Sequence, residues 1–255
     1  MSPTTERIDV NHWAYDEFRN LGINCGRTIK RLIRTMITLS GKIGESIAGA
    51  SDSKAEAKAI YRLIENKKVT EEVILHAHRK ATLQKMKESG ESILLSVQDT
   101  TMLNYTSHKK TKGLGDFGAG PDHKGLIVHS AIAVTPKGIA LGLLDQFIWT
   151  RDPEERGKRA EKRQKPIEEK ESYKWLKSMD NSQFGIPKGI RLVHVGDREA
   201  DVYEFFDHAI ANQKDFLVRV VQNRLTTEAC KLFDKVKQEP SSGKIVVDIP
   251  RDTRR

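Results

Sequence analysis

The sequence predicts an α/β protein in which a helical bundle precedes a mixed β-sheet with helices on its faces. Three observations carry this. From about residue 12 to residue 89, apolar residues recur at helical spacing, the repeat that puts them on one face of a helix. At Ile93 the pattern changes to short apolar runs bounded by turn residues, the pattern of core strands. From there the elements read strand, strand, strand, helix, strand, helix, strand. An antiparallel hairpin region followed by strand–helix–strand crossovers closes into one mixed sheet.

In the first part, Cys25 to Leu39 puts Ile29, Leu32, Ile33, Met36 and Ile37 on one stripe, with Arg27, Lys30, Arg31 and Arg34 largely on the other faces. Ser53 followed by Glu56 is a capping-box pair, which predicts a helix running to Glu65. Asn66-Lys67-Lys68 is a turn, Thr70 caps a helix from Glu71 to about Glu88, and Ser89-Gly90 ends it, glycine being the usual residue just past a helix terminus.

In the second part, Ile93 to Gln98 is the first strand, and residues 107–125, rich in glycine and lysine, form a loop. Leu126 to Thr135 and Ile139 to Trp149 form a hairpin around Thr135-Pro136-Lys137-Gly138. A charged loop precedes a helix from Ile167 to Met179, with Tyr173 and Leu176 inward. Then come a strand from Arg191 to Val195, a helix from Glu199 to Ala211, a strand from Phe216 to Val221, a short helix from Glu228 to Gln238 and a strand from Lys244 to Ile249. The division expected is residues 1–90 helical, 91–240 sheet core, and 241–255 the start of a further β-rich segment.

The 255 residues suffice for one large or two smaller domains with a real core. A net charge of +9 and a pI near 9.4 point to a polyanionic partner. Cys25 and Cys230 stand far apart, which argues against a zinc ribbon or a redox pair. His108, His123 and His129 match no zinc spacing. His129 and His194 read as packed or hydrogen-bonded, and Phe147, Trp149 and Trp175 as core. The N-terminus has no apolar signal core, and no apolar run approaches ~20 residues, so the expected location is the cytoplasm.

The chemistry is concentrated in Asp99-Thr100-Thr101 and Gly196-Asp197-Arg198-Glu199-Ala200-Asp201. Each places an Asp at the exit of an apolar strand. If the first and fourth strands are neighbours, both carboxylates emerge at one edge within a few ångströms. Like charges that close are costly unless cations neutralise them. Two Mg²⁺ ions about 3.5–4 Å apart would do so, while activating a water and stabilising a leaving oxygen. Taken singly, each Asp also suits a turn or a helix N-cap.

Four segments occur in order: Ser96-Val97-Gln98-Asp99-Thr100-Thr101, Lys124-Gly125-Leu126-Ile127-Val128-His129-Ser130, Glu169-Lys170-Glu171-Ser172-Tyr173-Lys174-Trp175-Leu176 and Gly196-Asp197-Arg198-Glu199-Ala200-Asp201. Together they resemble the cut-and-paste DDE transposases of bacterial insertion sequences, in the branch typified by the transposase of the kanamycin-resistance composite transposon. Trp13 to Ile74 resembles that branch's end-binding domain. The resemblance implies a ribonuclease H-like core, two Mg²⁺ or Mn²⁺ ions, and Asp99 and Asp197 as catalytic metal ligands. It implies duplex DNA as partner, at transposon ends and target, a second transposase copy, and a nucleoid location. The family's third acid is a Glu within a Tyr…Arg…Glu…Lys signature, and the Glu residues after Asp197 (Glu199, Glu204, Glu228 and Glu239) lack that context. The expectation is a C-terminally truncated transposase, inactive alone.

Arg27, Lys30 and Arg31 are the candidates for contacting the transposon end. Arg156, Lys158, Arg159, Lys162, Arg163 and Lys165, against the one acid Glu161, form a segment able to track phosphates; Lys109, Lys110 and Lys112 are a weaker counterpart. Two other readings stay open: a non-catalytic end-binding fragment that inhibits a full-length transposase, and a basic nucleic-acid chaperone indifferent to metal.

Overall fold

The structure, a computed structural model, describes residues 12–117, 123–151, 164–244 and 246. Five helices come first: α1 (His12–Phe18), α2 (Gly26–Ser40), α3 (Ile47–Ala50), α4 (Lys54–Ile64) and α5 (Glu71–Glu88). Their starts are set by side-chain caps. Ser53 Oγ accepts from the Glu56 amide at 3.1 Å, and the Glu56 carboxylate accepts from the Asp52 amide at 2.9 Å. Thr70 Oγ1 accepts from the Val73 amide at 3.3 Å. Such caps satisfy amides that the first helical turn leaves bare. Gly90, at φ +70°, ends α5. Phe18, Leu21, Leu32, Leu63 and Ala77 form the bundle core.

The sheet contains β1 (Ile93–Asn104), β2 (Gly115–Asp116), β3 (Lys124–Val134), β4 (Ala140–Trp149), β5 (Arg191–Gly196) and β6 (Asp215–Val218); the helices of this part are α6 (Tyr173–Gln183), α7 (Tyr203–Ala211) and α8 (Leu232–Gln238). Its order is β2-β3-β1-β5-β6, with β4 also on β3. The β1/β3 and β3/β4 pairs are antiparallel, and β1/β5 and β5/β6 are parallel.

One face is dry. Leu94 and Leu192 pack with Ala131, Ala133, Leu144 and Met86 of α5. Farther along, Trp175 and Met179 of α6 pack with Phe205 and Ala209 of α7. Helix α5 thus has Ala77 in the bundle core and Met86 in the sheet core. On the opposite face Leu95, Val97, Val193 and Val195 are half-buried, and Ile132, Ile148 and Leu217 are exposed.

Several elements differ from the sequence expectation. Strand β1 runs to Asn104 because β3 pairs with it as far as Gly125, so Asp99 lies within a strand and not at its exit. The helix expected from Ile167 is a 3₁₀ turn (Ile167–Glu169) followed by α6, separated by extended backbone at Lys170. The helix expected from Glu199 is a 3₁₀ turn (Arg198–Ala200) and then α7, because the Asp201 side chain is drawn to the amides of Val221 and Gln222. Strand β6 stops at Val218, and α8 starts at Leu232, after a bridge between Leu225 and Lys231. The strand expected over 244–249 lies largely outside the described residues.

Candidate functional site

The pairing of β1 with β5 brings the two aspartates together. Val97 stands opposite Val195 in parallel register, and Asp197 is still extended (φ −78°, ψ −166°). Carrying that register two residues on sets Asp99 beside Asp197, at the ~4.8 Å spacing of neighbouring strands. Both residues are exposed. Their side chains leave on the face opposite the helices. Gln98 and Thr100 bond a ring in the core, and a Cβ on Gly196 would meet the Trp175 ring at 3.3 Å. Asp99 Oδ1 accepts from the Thr100 amide, and Asp197 Oδ1 from the Glu199 amide, each at 2.8 Å. The second oxygen of each has no hydrogen bond among the described residues.

His129 ties down both neighbours of Asp99. Its Nδ1 lies 2.9 Å from Thr100 Oγ1 and its Nε2 3.2 Å from Gln98 Oε1. The ring is fully buried, edge-on to Trp175 at 4.8 Å. Burial, with Lys174 nearby, pushes its pKa down to about 3, so the imidazole is neutral. The sequence reading of a packed, hydrogen-bonded histidine holds. His194 is also fully buried, but neither ring nitrogen has a hydrogen-bond partner among the described residues.

From Glu199, two residues past Asp197, a string of charges runs along the helix-covered face. Arg151 Nε and Nη2 each bond the Glu171 carboxylate at 2.7 Å. The buried Lys174 ammonium lies 3.8 Å from Glu171 Oε1 and 3.3 Å from Glu199 Oε2. Sequence reasoning missed Lys174 as a site residue; only its place within the quoted Glu169–Leu176 segment hinted at it. Asp201 makes a second fixture. It accepts from the Val221 and Gln222 amides at 2.7 Å each and forms an ion pair with Arg224. Burial raises its pKa, but those amides and that guanidinium outweigh burial and hold it below the ordinary carboxylate value. Glu199, Glu204 and Glu228 pair with Lys174, Lys170 and Lys235. Among the described residues no group of three or more His, Cys, Asp or Glu is placed to hold a metal ion.

Trp175 is core as expected, but Phe147 and Trp149 are only half-buried. They stack on each other beside the outer face of α6, on the edge strand β4.

A second cluster lies on α2. Arg27, Lys30, Arg31 and Arg34 are exposed and line a groove against the start of α4, with Ser53 and Ala55. Arg34 bonds Glu56 at 3.1 Å. Arg27, Lys30 and Arg31 make no salt bridge among the described residues, so their charges face solvent. Arg156, Lys158, Arg159, Lys162 and Arg163 lie outside the described residues.

Residues 10–69 match the family model for transposase DNA-binding. The match spans α1 to α4 and takes in Arg27, Lys30 and Arg31. It makes DNA the partner of this stretch and relates the chain to transposases. It ends before α5 and thus before Asp99. No helix among the described residues is long and apolar enough to cross a membrane.

Proposed function

We propose that the chain is a cut-and-paste DDE transposase on a ribonuclease H-like core, with α1 to α4 binding the transposon end and Asp99 and Asp197 supplying two of its three acids. The observation that carries this reading is the β1/β5 register, which sets the two aspartates side by side downstream of a transposase DNA-binding match. Three antiparallel strands continued by two parallel ones support the ribonuclease H-like assignment.

The donor set suits Mg²⁺ or Mn²⁺. Each aspartate offers an unengaged carboxylate oxygen, and Mg²⁺ is usually held by one or two carboxylates, with waters and substrate phosphates completing the shell. When bound, the ions would activate a water and then a DNA 3′-hydroxyl for attack on a phosphodiester, and offset the charge on the leaving oxygen. The chain's own part is orientation. His129 fixes β1 on both sides of Asp99, the Glu199 amide fixes Asp197, and Lys174 keeps Glu199 in place.

The Glu residues after Asp197 do not complete a triad. Glu199, Glu204 and Glu228 are committed to lysines, and Glu239 lies at the end of α8. In this reading the third acid belongs to a Tyr…Arg…Glu…Lys segment that these residues do not contain, and without it they bind ends without cutting them.

The test is nicking of a duplex carrying the element's ends in Mg²⁺ or Mn²⁺. Binding without cutting is expected for these residues, with cutting gained when a Tyr…Arg…Glu…Lys segment is supplied and lost again in Asp99→Asn. Metal-dependent cutting by these residues alone would show that they hold a third acid of their own. Cutting by the supplemented protein that survives both Asp99→Asn and Asp197→Asn would overturn the assignment of the acids.

A further inference from the structure

The two aspartates lie in a polar row that crosses the sheet. Asp99 on β1 is paired with Ser130 on β3, and Ser130 with Gln146 on β4. Residues directly opposite each other share a face of the sheet, so Ser130 and Gln146 leave on the side of Asp99, away from the helices. The row therefore reads Gln146, Ser130, Asp99, Asp197, its last step given by the β1/β5 register. On that face Ser130 stands between Val128 and Ile132 of β3, and Ile148 follows Gln146 on β4. Two otherwise apolar strand faces thus turn polar at the level of the carboxylates.

Gln146 Nε2 donates to Ser130 Oγ at 2.9 Å, and both residues are half-buried. Ser130 Oγ forms no other hydrogen bond among the described residues. A hydroxyl has one proton and two lone pairs. With the Gln146 amide on a lone pair, the Ser130 proton is left to be donated elsewhere. The next group along the row is the Asp99 carboxylate, which when ionised only accepts. A single bond orients it, from the Thr100 amide. Paired positions on neighbouring strands have Cβ atoms about 4.5–5.5 Å apart, a gap that a serine and an aspartate span directly or through one water. A hydrogen bond between two neutral, partly wet side chains adds little net stability, and β-branched apolar residues suit a strand face well. Stability alone therefore gives no reason for a serine and a glutamine at these two positions.

We infer that Ser130, steered by Gln146, is a positioning residue for Asp99: its hydroxyl donates to the Asp99 carboxylate and fixes the direction of the oxygen offered to a divalent cation. The inference rests on the carboxylate reading above and extends that site across β3 to β4. An outer hydrogen bond of this kind orients a metal ligand, and its loss usually costs about 10- to 100-fold in metal affinity.

Titration calorimetry with Mn²⁺ tests this. Ser130→Ala raises the Kd for Mn²⁺ about 10- to 100-fold, and Ser130→Thr, which keeps the hydroxyl, recovers most of the affinity. Gln146→Leu also weakens Mn²⁺ binding. The double variant Ser130→Ala/Gln146→Leu binds no more weakly than Ser130→Ala alone, because Gln146 acts through Ser130. Duplex binding by α1 to α4 stays at the wild-type level and thermal unfolding stays cooperative, which reports that the variants are folded. Should Ser130→Ala not fold, the affinity of Gln146→Leu decides in the same way. Mn²⁺ affinity unchanged in Ser130→Ala, or lost equally in Ser130→Thr, overturns the positioning role; if Asp99→Asn still abolishes Mn²⁺ binding, the carboxylate reading stands. A wild-type protein that binds no Mn²⁺ overturns the carboxylate reading and this inference with it.

Discussion

Two buried imidazoles set the acid limit of this fold. His129 and His194 are both fully buried, and burial is the main cause that lowers their pKa values from 6.5 to about 3 and about 4. The folded state therefore binds fewer protons than the unfolded chain. The stability due to keeping them neutral is complete above the unfolded value of 6.5 and is lost as pH falls toward the folded values. At pH 5 each lies about 1.5 pH units below the unfolded pKa, and a unit is worth about 1.36 kcal/mol. The loss is about 2 kcal/mol per imidazole and about 4 kcal/mol together, against a usual total of about 5–15 kcal/mol. The carboxylates held low do not mask this window. Glu17, Asp180 and Asp201 are held below their ordinary values of 4.5, 3.8 and 3.8, so their contribution is lost only at lower pH. Asp145, raised by burial, gains stability as acid is added and offsets part of the histidine loss. Urea unfolding followed by circular dichroism at pH 7 and pH 5 measures the difference. His194→Leu is the sharper variant, because neither His194 nitrogen has a partner to strand. It should leave neutral stability within about 1.5 kcal/mol and remove about half of the acid loss. An unfolding free energy that does not change between pH 7 and pH 5 would refute the reasoning.

Replacing Arg27 and Lys30 together by Ala should weaken duplex binding and reduce the log–log salt slope by about 0.9 for each phosphate that is no longer neutralised; an unchanged slope in a filter-binding titration removes α2 from the interface. Asp99→Asn and Asp197→Asn should each abolish Mn²⁺ binding by calorimetry without lowering the melting temperature, since each relieves a like-charge contact, and retained Mn²⁺ affinity counts against the pair. Asp201→Ala should cost about 3–5 kcal/mol of unfolding free energy, the usual loss when one partner of a buried ion pair is removed, because Arg224 and two backbone amides lose their acceptor. A loss below about 1 kcal/mol would show the Asp201 knot to be incidental.

What could be read from the residues follows from how local the determining physics is. Caps are local, and Ser53 and Thr70 start α4 and α5 where their spacing predicts. Strand ends are set by partners. Asp99 reads as a strand exit because polar residues follow it, yet β3 holds the ladder to Asn104. The break at Asp201 needed knowledge of Val221 and Gln222, twenty residues away in the chain. The two aspartates were legible because two apolar runs each deliver an Asp; that the runs are neighbours was only a condition in the sequence and comes from the β1/β5 pairing. Lys174 was not, because its burial depends on Glu171 and Glu199 reaching it from other elements. Phe147 and Trp149 look like core by composition, but among the described residues β4 has no strand beyond it to cover them.

The two faces of the sheet then bear on the chemistry at its rim. Strands β1, β5 and β6 run parallel, and sheets built that way ordinarily carry cover on both faces. Here α5, α6 and α7 lie on one face, while the face bearing Asp99 and Asp197 shows Val97, Val195, Ile132 and the exposed Leu217. With no described helix on it, that surface lets water screen two adjacent carboxylates at small cost. Any element laid over those apolar side chains would strip water from the rim and make the same pair expensive unless cations neutralise it. Covering the face and binding metal are therefore coupled in sign. Whatever completes the sheet should raise the affinity of Asp99 and Asp197 for Mg²⁺, and the open face alone should hold the ion weakly.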